Sequence, residues 1–134
     1  MTQEDKELLL RDLCARLPYG VKIELTWWVM GEGTYINTTL EPDHIERLLN
    51  DEDGDTEIKP YLFPLSGMTG EQYNGFFSYY HNIEMAEVKA SGDYLKAAYI
   101  GDDAKYSWLN AHHFDYRGLI EKGLAINATG LNIY

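Results

Sequence analysis

Between Val21 and Met30 the chain alternates with a period of two: Val21, Ile23, Leu25, Trp27 and Val29 fall on one side, and Lys22, Glu24, Thr26, Trp28 and Met30 on the other. Successive side chains of a strand point to opposite faces, so this pattern predicts a half-buried β-strand and commits the fold to a sheet. Gly31-Glu32-Gly33 supplies a flexible turn, and Thr34 to Leu40 is rich in β-branched residues, so a hairpin is the economical continuation. Trp28 and Met30 on the nominally polar side predict that something partly covers that face as well.

Helical signals flank this hairpin. Thr2 can cap a first helix, with Glu4 and Asp5 in its first turn, Arg11 and Arg16 toward its end, and Pro18-Tyr19-Gly20 as its stop. Pro42 introduces a short helix with Ile45, Leu48 and Leu49 on one side, ended by the acidic turn Asn50 to Asp55. Glu57 to Leu65 reads as extended, but Pro60 and Pro64 each lack a backbone donor, which predicts a sheet edge or a loop packed on the sheet. Thr69 and Gln72 have capping-box spacing, and Tyr73, Phe76, Phe77 and Tyr80 follow at core-facing helical spacing. Gly75 weakens that helix by roughly 1 kcal/mol relative to alanine and suggests a close contact. Ile83 to Ile100 is less legible and is read as helix broken at Ser91-Gly92, with Asp102 and Asp103 beginning another. Leu119 to Ile126 fits a short helix or an extended closing segment. The expected fold is therefore a single α+β domain spanning 1–134. Its antiparallel sheet has three or more strands, led by the hairpin and covered by the N-terminal helix and the aromatic helices.

At 134 residues and 45% apolar composition, one domain with a real core is expected. The formal net charge of −11 would repel nucleic-acid phosphate and anionic lipid, and no basic patch offsets it. The acidity concentrates in Glu41, Asp43, Glu46, Asp51, Glu52, Asp53, Asp55 and Glu57, against a single base, Arg47. Cys14 is the only cysteine; its place among Leu10, Leu13 and Leu17 suits a buried thiol. The acidic start lacks a basic signal region and a long apolar run, so neither a secretory signal nor a membrane span is expected and a cytoplasmic address follows by default.

His112, His113 and Asp115 invite a metal or acid-base reading, yet adjacent histidines on a helix diverge by about 100° and do not converge on one ion. One packed histidine and one capping or exposed histidine is the favoured reading. Asp51, Asp53 and Asp55 imitate the start of a calcium loop, which then fails: Thr56 stands where the turn needs glycine and Leu62 where a bidentate glutamate belongs. Asp115-Tyr116-Arg117-Gly118 could hold a ligand carboxylate or a partner chain, while the plainer reading pairs Arg117 with Asp115 or has it cap the preceding helix. His112, His113, Asp115, Tyr116 and Arg117 are thus the candidate interaction or ligand residues, with no catalytic, cofactor or metal assignment. No P-loop, GxGxxG fingerprint or GxSxG elbow occurs.

The segments KELLLRDLCARLPYGVK (6–22), IKPYLFPLSGMT (58–69) and WLNAHHFDYRGLIEKGLA (108–125) together resemble a group of small uncharacterised proteins encoded in phages, prophages and mobile elements of Bacteroides-type gut bacteria. Phe63 and Gly67 depart from that pattern, where a polar or basic residue and a serine are expected. The resemblance implies a non-catalytic accessory protein that binds another protein or self-associates. Two alternatives stand beside it. One is a decoy whose Glu41 to Glu57 carboxylates imitate DNA phosphates. The other is a small enzyme or ligand-binding domain using His112, His113, Asp115 and Arg117. No cofactor is implied, direct nucleic-acid binding is not expected, and homo-oligomers are compatible with the surface tyrosines and tryptophans.

Overall fold

The computed structural model describes residues 1–52 and 54–134; the expectations for Asp53 and for the side chain of Val29 lie outside the described residues. Helix α1 (Gln3–Arg16) begins at a full capping box: the Asp5 N–H donates to Thr2 Oγ1 at 3.0 Å, and the Thr2 N–H points back to Asp5 Oδ2. Gly20 then turns the chain with φ 70, a left-handed conformation that glycine adopts without a Cβ penalty. Strands β1 (Lys22–Val29) and β2 (Glu32–Thr39) pair antiparallel around the two-residue turn Met30-Gly31, whose φ values of 53 and 82 match the turn class that suits strand twist. The turn is thus shorter than Gly31-Glu32-Gly33, and Glu32 and Gly33 belong to the strand.

Helix α2 (Pro42–Leu49) buries Ile45 and Leu48, while Leu49 is turned outward with 57% of its surface exposed, since it stands one residue off the Ile45–Leu48 row. Strand β3 (Thr56–Pro64) corrects the expectation of an edge or loop: it is central, antiparallel to β1 over residues 56–60 and parallel to two short strands over 61–64. The prolines fit because of phase. The Trp28 N–H bonds the Asp55 carbonyl at 3.0 Å, so Glu57 and Lys59 direct their backbone groups at β1, and Pro60 directs its missing donor away.

Helices α3 (Gly70–Ser91) and α4 (Tyr94–Ala111) form a hairpin through Gly92, a left-handed C-cap. The break at Ser91-Gly92 is where the sequence placed it. Asp102 and Asp103 do not begin a helix, however, because Asp93 caps α4 by accepting the Lys96 N–H at 3.1 Å and the helix runs through them. Strands β4 (Phe114–Asp115) and β5 (Ile126–Asn127) complete the sheet, with turns rather than a helix between Gly118 and Leu124. The sheet order is β2-β1-β3-β4, with β5 also on β3. Phe63 bonds His113 next to β4 and Leu62 bonds Ala128 next to β5, so the two short strands flank opposite edges of β3. The fold is α+β with a mostly antiparallel sheet, the parallel pairs following from the long helical crossover between β3 and β4.

The main core gathers Leu9 and Leu13 of α1, Ile45 and Leu48 of α2, Val21, Ile23 and Leu25, Ile58 and Leu62, and Leu119 and Leu124. Each such side chain contributes about 1.5–3 kcal/mol on burial. Cys14 is exposed, contrary to expectation, because the buried row of α1 is Leu9, Asp12, Leu13 and Arg16, and position 14 lies about 100° from Leu13. Met30 is fully exposed at the hairpin tip, and the Trp28 indole, 36% exposed, crosses Gly33, where a Cβ would meet its Nε1 at 3.0 Å. A second cluster of Trp108, Leu109 and Phe114, with Phe63, Met68, Phe76 and Tyr116 against it, seats the α3–α4 hairpin on the body.

Candidate functional site

The candidate residues of 112–117 follow α4 directly. His112 ends that helix, and its ring lies on the Trp108 indole at 3.8 Å with Nδ1 2.9 Å from the Trp108 carbonyl. His113, at φ 64, turns the chain and stacks on Tyr134 at 3.8 Å. The two rings therefore face different partners, and the reading of one packed and one exposed histidine holds. Burial, reinforced by the positive charge of Arg16 and by His112, lowers the His113 pKa to about 4, so its imidazole is neutral near pH 7.

Asp115 is buried and occupied by backbone: its carboxylate accepts the N–H groups of Arg117 at 3.2 Å, Leu119 at 3.1 Å and Ile120 at 3.0 Å. With Asp115 so engaged, the Arg117 guanidinium turns instead to Asp12, donating from Nη1 to Oδ1 at 2.7 Å, which corrects the expected pairing with Asp115 or the helix end. Asp12 also accepts Arg16 Nε at 2.9 Å, and Arg16 Nη2 donates to the Phe114 carbonyl at 2.6 Å. The Tyr116 ring stands 5.2 Å from the Arg16 and 4.5 Å from the Arg117 guanidinium carbon, and its hydroxyl donates to Asn110 at 2.8 Å. Asp12 and Arg16 have no exposed surface.

The result is a clasp between α1 and the Asp115–Arg117 turn, with its charge-assisted bonds directed at the protein itself. Sequence reasoning singled out Asp115 and Arg117 but missed Asp12 and Arg16. The available signal was their i, i+4 spacing on the row of α1 that also carries Leu9 and Leu13, where charged residues persist only when paired.

Tyr134 was also missed. The last β1–β3 pair sets Ile23 opposite Pro60, so Lys22 and Tyr61 would form the next rung. The Tyr134 hydroxyl occupies that rung instead, accepting the Lys22 N–H and donating to the Tyr61 carbonyl, both at 2.8 Å. Although 45% of the residue is exposed, this enclosed hydroxyl has its pKa pushed up to about 12 by burial, against the opposing pull of the Lys22 N–H and Arg16.

Of the acidic stretch, Glu41, Asp43, Glu46, Glu52 and Asp55 are exposed on α2 and the turn after it. Asp51 instead organises the turn, accepting the N–H groups of Asp55 at 3.0 Å and Thr56 at 3.2 Å, and Glu57 pairs with Lys59 at 3.1 Å. A polar trough of about 580 Å³ opens beside this turn, bordered by Asp5, Lys6, Asp51, Glu57 and Lys122, and includes none of residues 112–117. Among the described residues no three His, Cys, Asp or Glu side chains gather as a metal site, and no helix is long and apolar enough to cross a membrane.

The largest departure from expectation is α3. Its capping box forms as predicted, with the Gln72 N–H on Thr69 Oγ1 at 3.1 Å. Yet none of its 22 residues is buried, so Tyr73 and Tyr80 are not core residues despite their spacing. Phe76 rests on Trp108 at 5.3 Å, while Tyr73 keeps 54% and Phe77 42% of their surface exposed. Phe77 stacks on His81 at 5.1 Å and meets the Tyr80 ring edge-on, giving a continuous aromatic surface. The run Gln72 to Ile83 contains no Asp, Glu, Lys or Arg.

No protein-family model, no curated protein and no solved structure matches this chain.

Proposed function

We propose that this chain is a non-catalytic protein-interaction module, an accessory protein of a phage or mobile element, that grips its partner with the aromatic face of α3. The observation that carries this reading is the exposed, uncharged run Gln72 to Ile83 on a helix with no buried residue, in a chain of net charge −11. Helices in proteins gain most of their stability from packing an apolar face, and α3, though paired with α4, buries none of its residues fully. Depletion of charge with enrichment in Tyr and Phe is the composition of an interface centre. The engagement of Asp115 by three backbone N–H groups and of Asp12 by Arg16 and Arg117 supports a non-catalytic role, since these carboxylates already serve the fold. The mobile-element setting rests on the resemblance of the three segments given above.

The test is capture from host lysate by the tagged chain and by a Tyr73→Ser/Phe77→Ser variant, at low and high salt, with mass spectrometry of what is retained. A specific protein held by the native chain at both salt concentrations and lost by the variant is the expected result. Equal retention by both chains overturns the reading. Release by salt of a nucleic-acid-binding protein, retained alike by both chains, would transfer the proposal to the exposed carboxylates Glu41, Asp43, Glu46, Glu52 and Asp55 as phosphate mimics.

A further inference from the structure

The β1–β3 ladder stops one rung short of where its register would carry it. Ile23 opposes Pro60, and the bond from the Trp28 N–H to the Asp55 carbonyl fixes the phase, so the main-chain bonds join even residues of β1 to odd residues of β3. Lys22 and Tyr61 therefore stand at a bonded position, with the Lys22 N–H aimed at the Tyr61 carbonyl. The Tyr134 hydroxyl is wedged between them, 2.8 Å from each. Beyond this rung β3 changes neighbour, and the Phe63 N–H bonds the His113 carbonyl beside β4.

The segment that carries this wedge is otherwise lightly held. Ala128 is buried and its N–H bonds the Leu62 carbonyl, but residues 129–132 are exposed and their main-chain bonds are local, from Leu131 to Ala128 and from Thr129 to the Asn127 side chain. Among the described residues, the Tyr134 hydroxyl makes the only hydrogen bonds from 129–134 to anything before Asn127. Its ring lies on His113 at 3.8 Å and against Phe63 at 5.8 Å, with 45% of the residue in solvent. A segment with few buried contacts and few main-chain bonds to the body opens at far lower cost than the core does.

We propose that 129–134 is a strap with two discrete positions. In the latched one, Tyr134 fills the Lys22–Tyr61 rung and covers His113; in the released one, Tyr134 is in water and a direct hydrogen bond from Lys22 to Tyr61 closes the rung. Neither position leaves the Lys22 N–H or the Tyr61 carbonyl without a partner, which makes the element two-state rather than a frayed segment. On release the phenol exchanges its two protein bonds for bonds to water, and the Lys22 N–H exchanges a phenol oxygen for a carbonyl.

The latched position also carries a cost. His113 Nδ1 is buried there with no hydrogen-bond partner among the described residues, and release lets water reach it. What release loses is the stacking of Tyr134 on His113 and its contact with Phe63. Release uncovers one face of the imidazole and the neighbouring Phe63 ring, so any group that binds these rings or the freed strap draws the equilibrium toward the released position. The device is independent of what α3 binds.

NMR on the full chain tests it, through relaxation dispersion at the His113 ring, the Lys22 amide and the amides of 129–134, and through hydrogen exchange. The native chain should show one shared exchange process with a released population of about 0.1–10%. Tyr134→Phe keeps the stacked ring and loses both hydrogen bonds, and should raise that population about tenfold. Tyr134→Ala should adopt the released shifts throughout. In both variants the Lys22 amide should keep its protection within about threefold, because the Tyr61 carbonyl takes over the bond. A fixed structural plug predicts otherwise: no shared exchange in the native chain or in Tyr134→Phe, and a loss of Lys22 protection of about a hundredfold once the hydroxyl is removed. Either result overturns the proposal, and Tyr134→Phe alone decides it where the alanine variant does not fold.

Discussion

In the body, built from α1, α2 and the sheet, the apolar pairs Ile45 with Leu48 and Ile23 with Leu25 read from the sequence are buried, and α1 buries Leu9 with Leu13, one residue away from the Leu10, Leu13 and Leu17 row that the sequence suggested. In the α3–α4 arm the same kind of row has no buried member: Phe76 and Tyr80 are half-buried, and Tyr73 and Phe77 are left at the surface. The difference teaches that periodicity specifies which side chains share a face and not what covers it. A sheet offers α1 and α2 an apolar floor, whereas α3 meets only α4 along most of its length and the Trp108 cluster at its base.

The contrast breaks most sharply at the clasp. Asp12→Ala would leave Arg16 buried without its carboxylate and Arg117 without its partner, and is expected to lose about 3–5 kcal/mol in urea denaturation. A loss below about 1 kcal/mol would mean that the body does not depend on this pair.

Acid comes next. His113 is neutral in the folded chain with a pKa of about 4, against an ordinary value of 6.5, so between these values the unfolded chain binds more protons. Its stabilisation is complete above about pH 6.5 and is lost as pH falls toward 4. The shift would convert to about 3 kcal/mol, which screening through the exposed part of the ring reduces to on the order of 1–2 kcal/mol. Tyr134 has the opposite limb: its raised pKa makes stability complete below about pH 10 and lost as pH rises toward 12. Melting temperature against pH should therefore fall at both ends, and His113→Phe should flatten the acid limb alone.

Within the arm, two helical glycines should respond with opposite signs. Gly101 is buried where α4 meets Glu84 of α3, and a Cβ there would collide with the Glu84 side chain from its Cγ outward. Gly101→Ala is expected to cost about 1–2 kcal/mol despite better helix propensity. At Gly75 the nearest atom, on Trp108, is an ordinary 3.9 Å from the added carbon, so Gly75→Ala should gain up to about 1 kcal/mol. The close approach expected at Gly75 thus belongs to Gly101, and thermal melts of both variants would check it. The smallest stability effect is expected at Phe77→Ser, about 0.5 kcal/mol or less by denaturation, with partner capture lost nonetheless. A large stability loss there would make Phe77 part of the fold and weaken its role as a contact.

Local structure was legible wherever it depends on neighbours in sequence. The cap at Thr2, the box at Thr69, the hairpin, the helix after Pro42 and the break at Gly92 all arise within a few residues, and all were readable. The candidate turn was located for the right reason, as a polar cluster unexplained by core spacing, but Arg117 finds its partner 105 residues away at Asp12. No local signal could supply that pairing. Cys14 and Leu49 failed by one residue of helical phase, about 100°, which only the position of the sheet decides.

The sequence by itself determined the α+β class, the type of most elements and the acidic character, because propensity, capping and period are short-range properties. Only the tertiary structure decided that β3 is central, since the placement of Pro60 is harmless in one ladder phase and damaging in the other. Only it decided that Asp12, Arg16, Asp115 and Arg117 serve the fold, because a buried charge takes its meaning from the partner that long-range packing brings to it. And only it left Tyr73 and Phe77 of α3 uncovered, because burial depends on what stands opposite a face.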